Sequence, residues 1–160
     1  MRLDGRIDAR LIGRMTLYFA YGANLDRDAM QDRCPAARDV GVASLSGHRF
    51  IIMAAGYATI VPVRTGVVHG LLWDLTAADI ATLDAFEEVE SGLYRHAILP
   101  IRQGRFRKEA MVYVAAEARP GTPQPGYLEA VIVAAERAPL PPLYCDELHA
   151  WLPTAELPRP

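Results

Sequence analysis

Two rhythms of apolar and polar positions run along this chain, the alternation of strands and the wider-spaced stripes of helices. The first apolar run, Leu17-Tyr18-Phe19-Ala20-Tyr21, predicts a short, mostly buried strand, because apolar and aromatic residues fit a pleated surface. It halts at Gly22-Ala23-Asn24, where glycine permits close backbone approach and asparagine tolerates turn geometry. Residues 25–33 then read as a helix capped by Asn24 or Asp26, with Asp26 and Asp28 complementing its positive end. Residues 40–53 read as a strand interrupted around Ser46-Gly47-His48, and residues 58–61 supply another short β-rich run. Arg64-Thr65-Gly66 reads as a turn. Beyond it, Val67, Leu71, Trp73 and Leu75 share one parity of a further strand.

Thr76 followed by Asp79 resembles a capping box, and Ile80, Leu83 and Phe86 follow at helical spacing. The helix breaks over residues 88–92. Residues 93–101 and 110–115 then predict two strands paired as a hairpin around a basic turn at 102–108. Residues 119–126 hold three prolines and two glycines and predict a loop. Tyr127, Leu128, Val131, Ile132 and Ala135 form one apolar helix face, and Pro141-Pro142 opens a last helix over 143–151. Many strands with three to four interspersed helices predict an α+β single domain with a small, mixed, barrel-like sheet. The domain is expected over residues 15–152. Residues 1–14 read as an N-terminal extension, with Met15 as an alternative start of translation, and residues 153–160 as a loose tail.

Composition narrows the function classes. The chain has 160 residues, of which 51% are hydrophobic, with a net charge of −2, so one sizeable core is affordable and nothing electrostatic favours nucleic acid. No stretch has transmembrane length and no secretory leader pattern is present, so the expectation is a cytoplasmic protein without a membrane partner. Cys34 and Cys145 form neither a disulfide framework nor a zinc motif, and His48, His69, His96 and His149 lack ligand spacing. No metal or cofactor is expected. A small metabolite is the natural ligand, and a homodimer is left open.

Two segments carry candidate chemistry. The strand end at Tyr21-Gly22-Ala23-Asn24 exposes backbone N–H groups that suit a carboxylate or a developing oxyanion, although an ordinary strand-to-helix turn has the same composition. The second segment, residues 83–94, crowds acids between a helix and a strand. There Glu87 lies four residues after Leu83 and faces inward, whereas Glu88 and Glu90 face water. The same acids also fit a solvated helix end. A buried carboxylate is pushed toward neutrality and becomes a proton acceptor for an amine, so Glu87 is the candidate base. Tyr94, Tyr113 and Tyr127 can add phenolic donors or simply pack.

With both segments in view the chain resembles the γ-glutamylcyclotransferase, or AIG2-like, family. That family's signatures read Y-F-A-Y-G-S-N-L and L-D-x-x-E-G-V-x-x-G-x-Y, matched here by residues 18–25 and 83–94. The resemblance extends over about residues 16–148 and implies a small barrel-like α+β fold without metal or cofactor. It implies that Tyr18, Phe19, Ala20, Tyr21, Gly22, Ala23, Asn24 and Leu25 hold a small γ-glutamyl substrate, with Tyr94, Tyr113 and Tyr127 lining the pocket and Glu87 as acid/base. The implied reaction closes a γ-glutamyl amino acid or amine to 5-oxoproline and releases the amine. A non-catalytic metabolite-binding domain of the same fold is the alternative. Two positions depart from the signatures: Ala23 replaces Ser, and Glu88 replaces Gly. Glu88 is expected to raise the pKa of Glu87 if the two are close, and to be unfavourable if its turn needs a positive φ.

Overall fold

The computed structural model describes residues 15–154, so the expected extension at 1–14 and most of the expected tail lie outside the described residues. Five strands close into one barrel in the order β1-β3-β2-β4-β5: β1 (Thr16–Ala20), β2 (Arg38–Ile52), β3 (Ala58–Leu75), β4 (Tyr94–Gln103) and β5 (Phe106–Ala115). Neighbours are antiparallel except at the seam, where β1 runs parallel to β5 with Tyr18 opposite Met111. The sheet is therefore mixed, and closure leaves no free edge. Four helices flank it: α1 (Arg27–Arg33), α2 (Ala77–Phe86), α3 (Tyr127–Arg137) and α4 (Pro142–His149). This is the expected α+β single domain with a barrel-like sheet.

The long strands are where the sequence reading needs correction. Arg64-Thr65-Gly66 is no turn, because β3 runs through it unbroken from Ala58 to Leu75. The paired register slips there: Ser46 pairs with Val67, yet His48 pairs with Pro62. The predicted interruption at Ser46-Gly47-His48 and the supposed turn are thus the two sides of one bulge, which bends the pair and helps the sheet to close. Gly66 is required by that bend. A Cβ on it would lie 2.3 Å from the His48 carbonyl oxygen. The basic turn at 102–108 also shrinks, since cross-strand pairing persists to Gln103 and Phe106 and leaves only Gly104 and Arg105 as the loop. Hydrogen bonding across the strands outweighs the polar composition on which the wider turn was read.

The first helix is shorter than expected and begins at Arg27. Ala23–Leu25 form a single 3-10 turn instead, and Asp26 caps α1 by accepting the Ala29 N–H at 3.1 Å. Asn24 is not the cap; it is buried and hydrogen-bonded elsewhere. Helix α2 starts as predicted, with Thr76 and Asp79 forming a reciprocal capping box. Its apolar face is only partly inward, because Leu83 is fully buried while Phe86 is 43% exposed.

Barrel closure buries both faces of β3 from Gly70 to Trp73, so strand alternation gives way to a continuous apolar run. Phe19, Leu71, Leu72, Trp73 and Leu75 are fully buried, each contributing roughly 1.5–3 kcal/mol through apolar burial. The proline-rich loop is tied down at the β2–β3 turn. Gly121 N–H bonds Ile52 O at 2.8 Å and Gln124 N–H bonds Gly56 O at 3.0 Å. This anchoring brings Tyr127, at the start of α3, against Ala58 at the start of β3.

Candidate active site

A cavity of about 300 Å³ opens where the end of β1, the starts of β3 and β4, late β5, the C-terminal end of α2 and the first residue of α3 converge. Of the sequence-predicted site residues, Tyr18, Tyr21, Gly22, Ala23, Glu87, Tyr94, Tyr113 and Tyr127 line it. Phe19, Ala20, Asn24 and Leu25 do not. They are buried behind it and belong to the support of the turn.

Gly22 lies where the chain leaves β1, and a Cβ on it would come within 3.1 Å of the Tyr127 hydroxyl, so glycine lets α3 close against the turn. The turn's own hydrogen bonds begin at the Leu25 N–H, which donates to Gly22 O at 3.0 Å. The amides of Gly22 and Ala23, which line the cavity, precede that first donor, so they are the ones a ligand can use. Ala23 supplies this backbone without a side-chain hydroxyl.

Glu87 is held by the way α2 ends. Its N–H donates to Leu83 O at 2.8 Å, and beyond it Glu88 N–H reaches Ala85 O at 3.3 Å and Val89 N–H reaches Asp84 O at 3.0 Å. That pair of bonds is a Schellman motif, whose turning residue takes the left-handed conformation normally given to glycine. Here the residue is Glu88, with φ of 51°. The expectation that this position needs a positive φ therefore holds, at a cost of about 1 kcal/mol relative to glycine. The expected electrostatic effect does not. Burial raises the Glu87 carboxyl to about 7, Arg33 pulls it partly back, and Glu88 plays no part in the shift. Glu87 is half-buried on the cavity wall, and its carboxylate accepts no hydrogen bond among the described residues.

The tyrosines form a connected shell. Tyr21 donates to Tyr113 O at 2.5 Å, Tyr94 donates to Ala58 O at 2.5 Å, and Tyr127 accepts the Ala58 N–H at 3.2 Å. Tyr113 donates to Asp84 Oδ1 at 2.6 Å, and His96 Nε2 shares that oxygen. Burial pushes the Tyr127 hydroxyl up to about 12 and raises those of Tyr18, Tyr21, Tyr94 and Tyr113 as well, so all remain protonated near neutrality. All five side chains line the cavity, and Tyr18, Tyr21, Tyr94 and Tyr113 are buried.

The sequence reading missed Arg33, Tyr57, Ala58, Phe86 and Leu93, all of which line the cavity, and Glu88, expected to face water, is exposed but also borders it. Arg33 is the notable one. It donates to Asn24 Oδ1 at 2.7 Å and its guanidinium lies 3.9 Å from the centre of the Phe86 ring. The only signal for it in the sequence was its position as the last residue of α1. Cys34 and Cys145 are buried thiols whose pKa values burial raises, which makes nucleophilic roles unfavourable. Among the described residues no group of three or more His, Cys, Asp or Glu is placed to hold a metal, and no helix is long and apolar enough to cross a membrane.

Fold and cavity together define a closed-barrel domain with a candidate small-molecule cavity on whose wall sits a carboxyl of raised pKa. The chain belongs to the AIG2-like, γ-glutamylcyclotransferase family, whose AIG2-like model matches residues 67–148. It is 29% identical to the mouse γ-glutamylcyclotransferase over 154 residues, covering 88% of this chain and 81% of that one. The human γ-glutamylcyclotransferase is 27% identical over 150 residues, covering 86% of this chain and 79% of that one. A solved structure named γ-glutamyl cyclotransferase superposes with a TM-score of 0.81 at 24% identity, over 92% of this chain and 93% of that chain. The superposition carries the fold.

Proposed function

We propose that this protein is a γ-glutamyl cyclotransferase acting on a small γ-glutamyl amino acid or amine. The observation that carries the reading is Glu87, a half-buried carboxyl raised to about 7 on the wall of the cavity that Gly22 and Ala23 also line. A cavity of about 300 Å³ suits a dipeptide-sized ligand.

In the proposed reaction the substrate's own α-amine attacks its γ-carbonyl, forming a C–N bond and a tetrahedral oxyanion. Collapse breaks the original amide and leaves 5-oxoproline and a free amine. Nucleophile and electrophile share one molecule, so the protein's contribution is folding the substrate, accepting a proton and stabilising the oxyanion. Glu87 accepts the proton lost by the attacking amine and returns it to the departing nitrogen. The amides of Gly22 and Ala23 bind either the α-carboxylate or the oxyanion, roles that a backbone donor fills with or without a serine hydroxyl at position 23.

Replacing Glu87 by Gln is the direct test. Formation of 5-oxoproline from γ-glutamyl dipeptides, γ-glutamyl amines or glutathione is expected to fall by at least about 100-fold, with the circular dichroism spectrum unchanged. Undiminished turnover would remove Glu87 as the base. Binding of 5-oxoproline by the unaltered protein, with no turnover of any of these compounds, would favour the metabolite-binding alternative that Ala23 admits.

A further inference from the structure

A proton count around the cavity singles out Tyr18. Tyr21, Tyr94 and Tyr113 each spend their hydroxyl proton on a protein acceptor, respectively Tyr113 O, Ala58 O and Asp84 Oδ1. Tyr127 and Tyr18 instead accept, from the Ala58 N–H and from Asn24 Nδ2 at 3.0 Å. A hydroxyl that accepts retains its own proton to donate elsewhere. For Tyr127 this arrangement is secured by a backbone N–H, which can only donate. For Tyr18 it is not intrinsically secured, because an asparagine amide offers Tyr18 a donor or an acceptor depending on how it is turned.

Arg33 removes the choice. A guanidinium has donors and no acceptor, so the Asn24 atom facing Arg33 Nη1 at 2.7 Å must be the oxygen, which leaves the NH2 group for Tyr18. Asn24 is 1% exposed, so no bulk water competes for either end of its amide. Arg33 is itself braced by stacking on Phe86, the residue before Glu87. We infer that Arg33 is a positioning residue that sets the proton polarity of this site: it locks Asn24 so that Tyr18 accepts from it and keeps its hydroxyl proton for whatever occupies the cavity.

The catalytic consequence rests on the proposed cyclotransferase reading, in which the Tyr18 proton serves the oxyanion and strengthens as charge develops there. The polarity does not rest on it. The test therefore has two arms, run on the full chain and on Arg33→Lys, Arg33→Met, Tyr18→Phe and the Arg33→Met/Tyr18→Phe double variant. In the first, nuclear Overhauser contacts between the Asn24 side-chain NH2 and the Tyr18 ring are expected in the unaltered protein and in Arg33→Lys, because lysine also only donates. They are expected to vanish in Arg33→Met, where the amide is free to turn. Arg33→Gln, which offers donor and acceptor alike, gives the same expectation where Arg33→Met fails to fold. Persistence of the contact without a donor-only residue at position 33 would overturn the inference whether or not the protein turns anything over.

In the second arm, 5-oxoproline formation is followed as a pH profile for each variant and compared on the high-pH plateau, because loss of the Arg33 charge raises the Glu87 carboxyl further. Arg33→Met is expected to lower kcat about ten- to 100-fold with KM changed less than about threefold, and Arg33→Lys to recover most of that loss. In the Tyr18→Phe background, Arg33→Met should cost little more, since the two residues act as one unit. Equal losses in both backgrounds would show that Arg33 does not work through Tyr18. Absence of product from the unaltered protein would instead end the cyclotransferase reading and leave the first arm to decide the polarity.

Discussion

Glu87 and Glu88 are adjacent in sequence and do opposite things physically. Glu87 carries a carboxyl that burial makes hard to ionise, and Glu88 spends conformational energy to put it there. In the proposed enzyme kcat/KM should rise with pH and level off above a midpoint near 7, the value at which Glu87 becomes a base. A pH profile flat between about 6 and 8, one unit to either side of that midpoint, would contradict this assignment. The same shift has a stability signature. Because the folded-state value lies above the ordinary 4.5, the native state favours protonated Glu87: no penalty exists below about 4.5, it grows as pH rises toward about 7, and it is constant above. Glu87→Gln should accordingly stabilise the protein at pH 8 by about 1–3 kcal/mol, allowing for the partial exposure of the group, and far less at pH 4. Urea unfolding at the two pH values measures the difference. Glu88→Gly should raise stability by about 1 kcal/mol, read as a shift in the urea midpoint, because glycine takes the positive φ without steric cost.

Helix α2 is fixed at both ends by local chemistry, the Thr76 and Asp79 box at its start and the Schellman bonds around Glu88 at its finish. Thr76→Ala should cost about 1 kcal/mol in thermal or urea unfolding while leaving kcat unaltered, since the end that presents Glu87 is closed independently. A fall in kcat matching the stability loss would mean that the two ends are coupled. The box was legible from Thr76 and Asp79 alone, three residues apart, because every group that makes it lies within one turn. The turn at residues 64–66 was misread for the converse reason. Arg64, Thr65 and Gly66 have turn-like composition, but their conformation is set by β2 lying alongside, fifteen or more residues distant in sequence. Phe86 fitted the helical stripe, yet it is largely exposed and lies under Arg33 at the cavity, a contact that joins two helices.

Closure of the barrel brings the site together. Strand β1 supplies the turn, α2 the acid, β4 and β5 Tyr94 and Tyr113, and α3 Tyr127, and none of these is a neighbour of the others in sequence beyond the 83–94 segment. The bend at Gly66 is one hinge of this closure, and Gly66→Ala should destabilise the fold by about 2–3 kcal/mol because its methyl group meets the His48 backbone. Calorimetry showing an unchanged melting temperature would refute the bend's requirement for glycine. By itself the sequence determined the α+β class, the strand and turn at Tyr18 to Leu25 and the capped helix, and singled out Glu87 as the candidate inward acid, because each follows from periodicity or from hydrogen bonds within a few residues. Only the tertiary structure decided that β3 is unbroken, that burial and not Glu88 raises the Glu87 carboxyl, and that Arg33 reaches Asn24 and Phe86. Those outcomes depend on solvent exclusion and on donors meeting acceptors across the barrel, which no local pattern encodes.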